Sequence, residues 1–141
     1  RMHQEYLVPA QDFSVAGVAA SNLKRLLKQL NIPPLTIKRI IVAVFEAEVN
    51  VIAHSYGGRI LCDFEEDEIH VQVIDTGPGI PDLELAMTEG WSTASDEVRE
   101  LGYGAGMGLP NIAKSCDELS IYTKAGDHTR LSMLFRLKEK A

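Results

Sequence analysis

Only two cysteines occur in 141 residues, and Cys62 and Cys116 each stand alone in an apolar setting. That excludes a disulfide framework or a Cys-ligated zinc site and fits a reducing cytoplasm. The four histidines show no metal-ligand spacing. No apolar run approaches the ~20 residues of a membrane span, and no secretory signal opens the chain. Arg1 ahead of Met2 reads as a cloning remnant, with Met2 as the native start. A stripe of Lys and Arg is also missing. With a net charge of −6, this argues against nucleic acid as a main partner and leaves Lys24, Arg25 and Lys28 as a solvated helix face. Both common phosphate loops are lacking: there is no GxxxxGK[ST], and no glycines are spaced GxGxxG. A nucleotide site in this chain therefore needs a different metal ligand and a different backbone cradle.

The hydrophobic share, 45%, is enough for a sizeable core, and with no repeats and no linker the expectation is one domain over residues 2–141. Patterning predicts a two-layer α/β sandwich of the α+β class. His3–Val8 reads as a strand closed by Pro9. Asp12 or Ser14 would cap a first helix with Val15, Ala19, Leu23, Leu26 and Leu30 on its apolar stripe, ended by Asn31 and Pro33–Pro34. A longer helix follows from Leu35 to His54, burying Ile40, Val44, Ala47 and Val51 and broken at Tyr56-Gly57-Gly58. Two alternating strands around Ile60–Phe64 and Ile69–Val73 form a hairpin over the acidic turn Glu65–Glu68. The stretch from Pro81 to Gly106 has little apolar periodicity and is long enough for a functional lid. Pro110 would start a third helix reaching Cys116, and Leu119–Thr123 and Arg130–Leu137 read as the last strands.

Residues four apart on a helix stack, so Glu46, Asn50 and His54 share a face with Arg39 and Ala43, a face too polar for the core. Glu48 points to the other side, on a stripe with Ile41, Phe45 and Ile52 that suits a core edge by default or a subunit contact, leaving room for a homodimer. Asn50 offers a hard carbonyl oxygen suited to Mg²⁺, and Glu46 beside it is placed to orient or deprotonate a hydroxyl. An exposed polar face is the competing reading. Three glycine-containing clusters follow this helix: DTGPGI at Asp75–Ile80, GYGAGMGLPN at Gly102–Asn111 and AGDHT at Ala125–Thr129. Asp75 ends an apolar strand, where a carboxylate needs a donor such as the adenine amine. The glycines at Gly102, Gly104, Gly106 and Gly108 place bare amides just before a helix, an anion nest. A plain turn, a linker and a hairpin turn compete for the three clusters taken singly. Their order after the Glu/Asn helix is the joint signal.

EAEVNVIAHSY, DTGPGI and GYGAGMGL resemble the N-box and the two glycine boxes of the Bergerat-fold ATPases, over about Gln11 to Leu137. MTEGWSTAS and GAGMGLPNI bring the chain nearest to the anti-sigma-factor serine kinases of the stressosome switch type. The resemblance implies a mixed, mostly antiparallel sheet covered on one face by three helices, and ATP or ADP with Mg²⁺ as cofactors. It implies Asn50 as the Mg²⁺ ligand, Glu46 as catalytic base and Asp75 at the adenine amine, supported by Thr129. Gly77, Gly79, Ile80, Gly104, Ala105, Gly106, Met107, Gly108 and Leu109 would shape the phosphate lid, with Thr93 reaching the nucleotide. His54 matches the N-box histidine, with a packed structural role as the alternative. The sequence departs from the family in having only Gly126 in its third box and a longer Ala94–Tyr103, where Arg99 is the candidate basic residue of the lid.

Three functions compete at this point. The first is a cytoplasmic serine/threonine kinase acting on a small antagonist protein of the STAS type, in partner switching that controls a sigma factor or a phosphatase. The second is a non-catalytic module whose partner affinity changes with ATP. The third is a detached ATP-binding domain of a histidine kinase, weakened because no helical hairpin with a phosphoacceptor His precedes the N-box and His3 falls in a strand.

Overall fold

A computed structural model describes residues 2–80, 87 and 108–137. Its elements run β1 (Met2–Val8), a 3₁₀ turn (Phe13–Val15), α1 (Val18–Gln29), α2 (Pro34–His54), β2 (Gly58–Phe64), β3 (Glu68–Asp75), α3 (Gly108–Ser115), β4 (Glu118–Thr123) and β5 (Thr129–Arg136). The five strands form one sheet in the order β1-β2-β3-β5-β4, and all four pairings are antiparallel. The period-two pattern sets its faces. Ile60, Cys62, Phe64, Ile69, Val71, Val73, Leu131, Met133 and Phe135 are buried on one side. The three helices join them in a single core, where Leu23, Leu27, Ile40, Ile52 and Ile112 are fully buried. Each such side chain contributes about 1.5–3 kcal/mol. This is the α+β two-layer sandwich expected, with the acidic Glu65–Glu68 turn closed by the Glu65 amide on the Glu68 carbonyl at 2.9 Å.

The start of the first helix differs from expectation. Asp12 caps only the 3₁₀ turn, accepting from the Ser14 amide at 3.2 Å. Gly17 stands at the head of α1 with no side chain to offer, and the cap comes from another helix. The buried Glu48 carboxylate of α2 accepts from the amides of Gly17, Ala19 and Ala20, each at 3.1 Å. A carboxylate among the first amides of a helix satisfies orphan donors and meets the positive end of the dipole. Glu48 therefore belongs to the core edge. The buried stripe of α1 is accordingly Ala19, Ala20, Leu23 and Leu27, while Leu30 is largely exposed. At its far end Asn31 takes φ 59°, and the bonds Asn31 N–H to Lys28 O and Ile32 N–H to Leu27 O, both 3.1 Å, close the helix as a Schellman motif.

Pro34 opens α2, where its missing N–H costs nothing. The helix packs between α1 and α3 and buries Ile37, Ile40, Val44, Ala47, Val51 and Ile52. Ala43 is also fully buried, so the face expected to be too polar for the core turns inward at its smallest residue. The chain leaves α2 at Ser55 and reverses at Gly57 into β2.

Candidate nucleotide site

Glu46 and Asn50 lie half-buried on α2, one turn apart, where the start of α3 crosses it. A Cβ at Gly108 would sit 2.9 Å from Asn50 Nδ2 and 3.0 Å from Asn50 Oδ1, so any larger residue there must displace the Asn50 amide group. One turn into α3, the Asn111 Nδ2–H donates to Glu46 Oε1 at 3.3 Å. Sequence reasoning assigned no role to Asn111; its position three residues after Gly108 on a predicted helix was the available signal. Leu109 is buried in the core, which restricts it to a backbone role at a ligand.

A second cluster forms where β3 ends. Asp75 Oδ1 accepts from the Gly77 amide at 2.8 Å and from the Thr129 amide at 3.0 Å, which fixes the plane of the carboxylate. Thr129 is buried, and its hydroxyl lies 2.8 Å from that of Thr123. The Thr123 hydroxyl also accepts from the Ile80 amide at 2.8 Å, so one side chain ties both glycine-containing loops together. Thr123 was missed as a site residue, since in sequence it is merely the last position of a strand. Gly79 has φ 82°, and a Cβ there would collide with the Lys124 carbonyl. The Gly126 amide donates to the Pro78 carbonyl at 2.7 Å, so the third loop makes its contact through backbone and needs no second glycine.

The two clusters are joined through the exit of α2. The Tyr56 amide donates to the Gly77 carbonyl at 3.3 Å, and the Thr76 amide to the Gly57 carbonyl at 3.1 Å. His54 sits in the last turn of α2, where burial lowers its pKa below 6.5 and keeps it neutral at neutral pH. Thr93, Arg99, Gly102, Gly104, Ala105, Gly106 and Met107, with the rest of the expected lid, lie outside the described residues.

The donor set that the described residues present is hard oxygen and amide, without a group of three His, Cys, Asp or Glu able to hold a metal by themselves. That chemistry fits Mg²⁺ bound by one protein oxygen together with phosphates and water, and does not fit zinc. The start of α3 lies beside Asn50 at Gly108, and the first amides of a helix suit an anionic group.

Residues 8–135 match the histidine kinase-like ATPase domain. The chain belongs to that family. Among its relatives, an anti-sigma F factor of Clostridium novyi is 33% identical over 98% of this chain and 95% of its own length. The serine/threonine-protein kinase RsbT of Bacillus subtilis is 30% identical over 83% of this chain and 86% of its own. Two solved structures share the fold of this ATPase domain. The RsbU and RsbW domains of Rv1364c from Mycobacterium tuberculosis superpose with TM-score 0.67 at 17% identity, over all of this chain and 34% of that one. The SiaB–SiaC complex from Pseudomonas aeruginosa gives TM-score 0.60 at 15% identity, over 94% of this chain and 88% of its counterpart. No helix among the described residues is long and apolar enough to cross a membrane.

Proposed function

We propose that this ATPase domain is a Mg·ATP-dependent protein serine/threonine kinase that phosphorylates a small antagonist protein in a partner-switching pathway. The observation that carries it is the meeting of Glu46 and Asn50 with Gly108 and Asn111 across the α2–α3 contact. A relative named as a serine/threonine-protein kinase, relatives named anti-sigma F factor, and a fold neighbour solved as a two-protein complex support the same reading.

In this mechanism Asn50 would hold Mg²⁺ through its side-chain oxygen, and the ion would supply charge neutralisation on the phosphates when bound. Glu46 accepts the proton of the substrate hydroxyl, its carboxylate steered by the Asn111 amide. Asp75, held by two backbone amides, turns its remaining acceptor to the adenine amine. Thr129 and Thr123 keep that acceptor in place.

The test compares γ-phosphate transfer to the antagonist partner at matched nucleotide occupancy. Glu46→Gln should lower transfer by roughly 10²–10⁴-fold, the range for loss of a general base, with ADP affinity nearly intact. Asn50→Ala should reduce Mg²⁺-dependent binding and transfer together. Glu48→Gln should cost about 1–3 kcal/mol of stability, because it sets an amide NH₂ against amide donors at the head of α1, yet leave transfer per folded molecule nearly unchanged. An inactive Glu48→Gln beside an active Glu46→Gln would sink the catalytic assignment. Acid-labile phosphate on the partner would point to histidine phosphorylation. Absence of transfer by the parent protein would point to the ATP-dependent binding module.

A further inference from the structure

The lysines of α1 do not simply face solvent. Lys24 and Lys28 form one wall of an open groove of about 740 Å³, completed by the Schellman turn at Asn31 and Ile32 and by the first turns of α2. Ile32, Pro33, Ile37, Ile41 and Val42 give it an apolar floor, and Lys38 closes the opposite rim. Val42, at the inner end of the groove, is 38% exposed, and Leu35, next to the lining Pro34 in the first turn of α2, is 79% exposed. Among the described residues no carboxylate lines the groove, and none of the three lysines is ion-paired.

We propose that this groove docks an acidic amphipathic helical segment of a partner protein. A helix with apolar residues at i, i+3, i+4 and i+7 fills such a floor, and carboxylates flanking that stripe meet the lysine rim. Charge decides between classes of partner. The molecule as a whole carries −6, so an anionic membrane or a nucleic acid is repelled by the bulk of it. A short acidic segment feels mainly the three lysines, because charges beyond about 8 Å are screened at physiological salt. The groove is separate from the nucleotide cradle. It uses the N-terminal half of α2, and its inner end at Val42 is one turn before Glu46, so an occupant rests beside the site's helix without entering the cradle. The proposal does not depend on phosphate transfer.

The experiment places the photo-cross-linker p-benzoylphenylalanine at Leu35 in cells that naturally make the protein, and sequences the cross-linked peptide. The expected adduct is a segment of a different protein with net negative charge and an apolar helical stripe. A synthetic peptide of that sequence is then titrated into the purified protein. Binding should weaken about tenfold or more in Lys24→Glu/Lys28→Glu/Lys38→Glu and should weaken with added salt, while ADP affinity and the thermal transition stay at parent values. If the triple reversal fails to fold, Lys24→Gln/Lys28→Gln/Lys38→Gln is measured instead, with a smaller loss in the same direction. An adduct with a neutral or basic segment, with lipid, with nucleic acid or with a second copy of this chain overturns the proposal. So does the absence of any adduct, or affinity indifferent to the lysine charges. Loss of kinase activity in the Glu46 variant has no bearing on these outcomes, so the two readings fail separately.

Discussion

At Asp75 one carboxylate oxygen is committed to two backbone amides, which on the proposed reading leaves recognition of the adenine amine to the other. Asp75→Asn can keep its carbonyl on the Gly77 and Thr129 amides, but it then presents an NH₂ donor toward the adenine amine. The fold should survive and ADP affinity should drop by about 1–3 kcal/mol, read by calorimetry; equal affinity in mutant and parent would remove Asp75 from the adenine site. His54 carries the opposite kind of constraint. Burial lowers its folded pKa below 6.5, so the unfolded chain binds its proton at a higher pH than the folded one. Its contribution to stability is thus complete above about pH 6.5 and is lost as pH falls through the folded pKa. The gap between the thermal midpoints of the parent and His54→Gln should be constant above that pH, and the parent should fall relative to the variant as pH drops below it; parallel curves throughout would show that His54 is not a buried neutral imidazole.

The loops that frame the site are held by close backbone contact, and glycine substitutions separate contact from conformation. Gly79→Ala meets both a φ of 82° and the Lys124 carbonyl, and should destabilise by about 2–5 kcal/mol. Gly126→Ala meets a φ of 81° but nothing within 4 Å, and should cost only about 1–2 kcal/mol. Denaturant midpoints at unchanged slope measure both. Equal losses would mean that the contact between the first and third glycine loops is not tight. At the head of α1 the same principle runs through a side chain. Burial raises the Glu48 pKa, opposed by the amides of Ala20, Ala19 and Gly17, so the cap is strong while its charge is costly.

For the whole molecule, a nucleotide bound as proposed would bridge α2, α3 and the ends of β3 and β5 and tie together elements from distant parts of the chain. It should therefore stabilise the fold as a unit. Mg·ADP at a hundred times its dissociation constant should add about 2.7 kcal/mol and raise the midpoint by roughly 6–10 °C. Asp75→Asn at the same ligand concentration should show a visibly smaller rise. No rise in the parent would mean that the cradle does not bind adenine nucleotide.

The amino-acid pattern alone determined the layers and the pairing of Glu46 with Asn50 on one helix face. Period-two strands, the 21-residue α2 and its i, i+4 stacking of Glu46 on Asn50 are local properties, set by backbone geometry within a few residues. The first glycine loop was legible because Gly77 and Gly79 take positive φ and Gly79 lies against the Lys124 carbonyl, needs that leave a compositional trace. Other features depended on which elements meet in space. Glu48 caps a helix about thirty residues earlier in the chain, so its stripe alone could not say whether it was core or interface. Asn111 and Thr123 acquire roles only when α3 crosses α2 and when the β4–β5 hairpin closes on the first glycine loop. The lysines of α1, a solvated face by pattern, become a groove rim only because Asn31 turns the chain so that α2 returns beside them. Periodicity reports which way a residue points from its own element; what it points at is decided by packing.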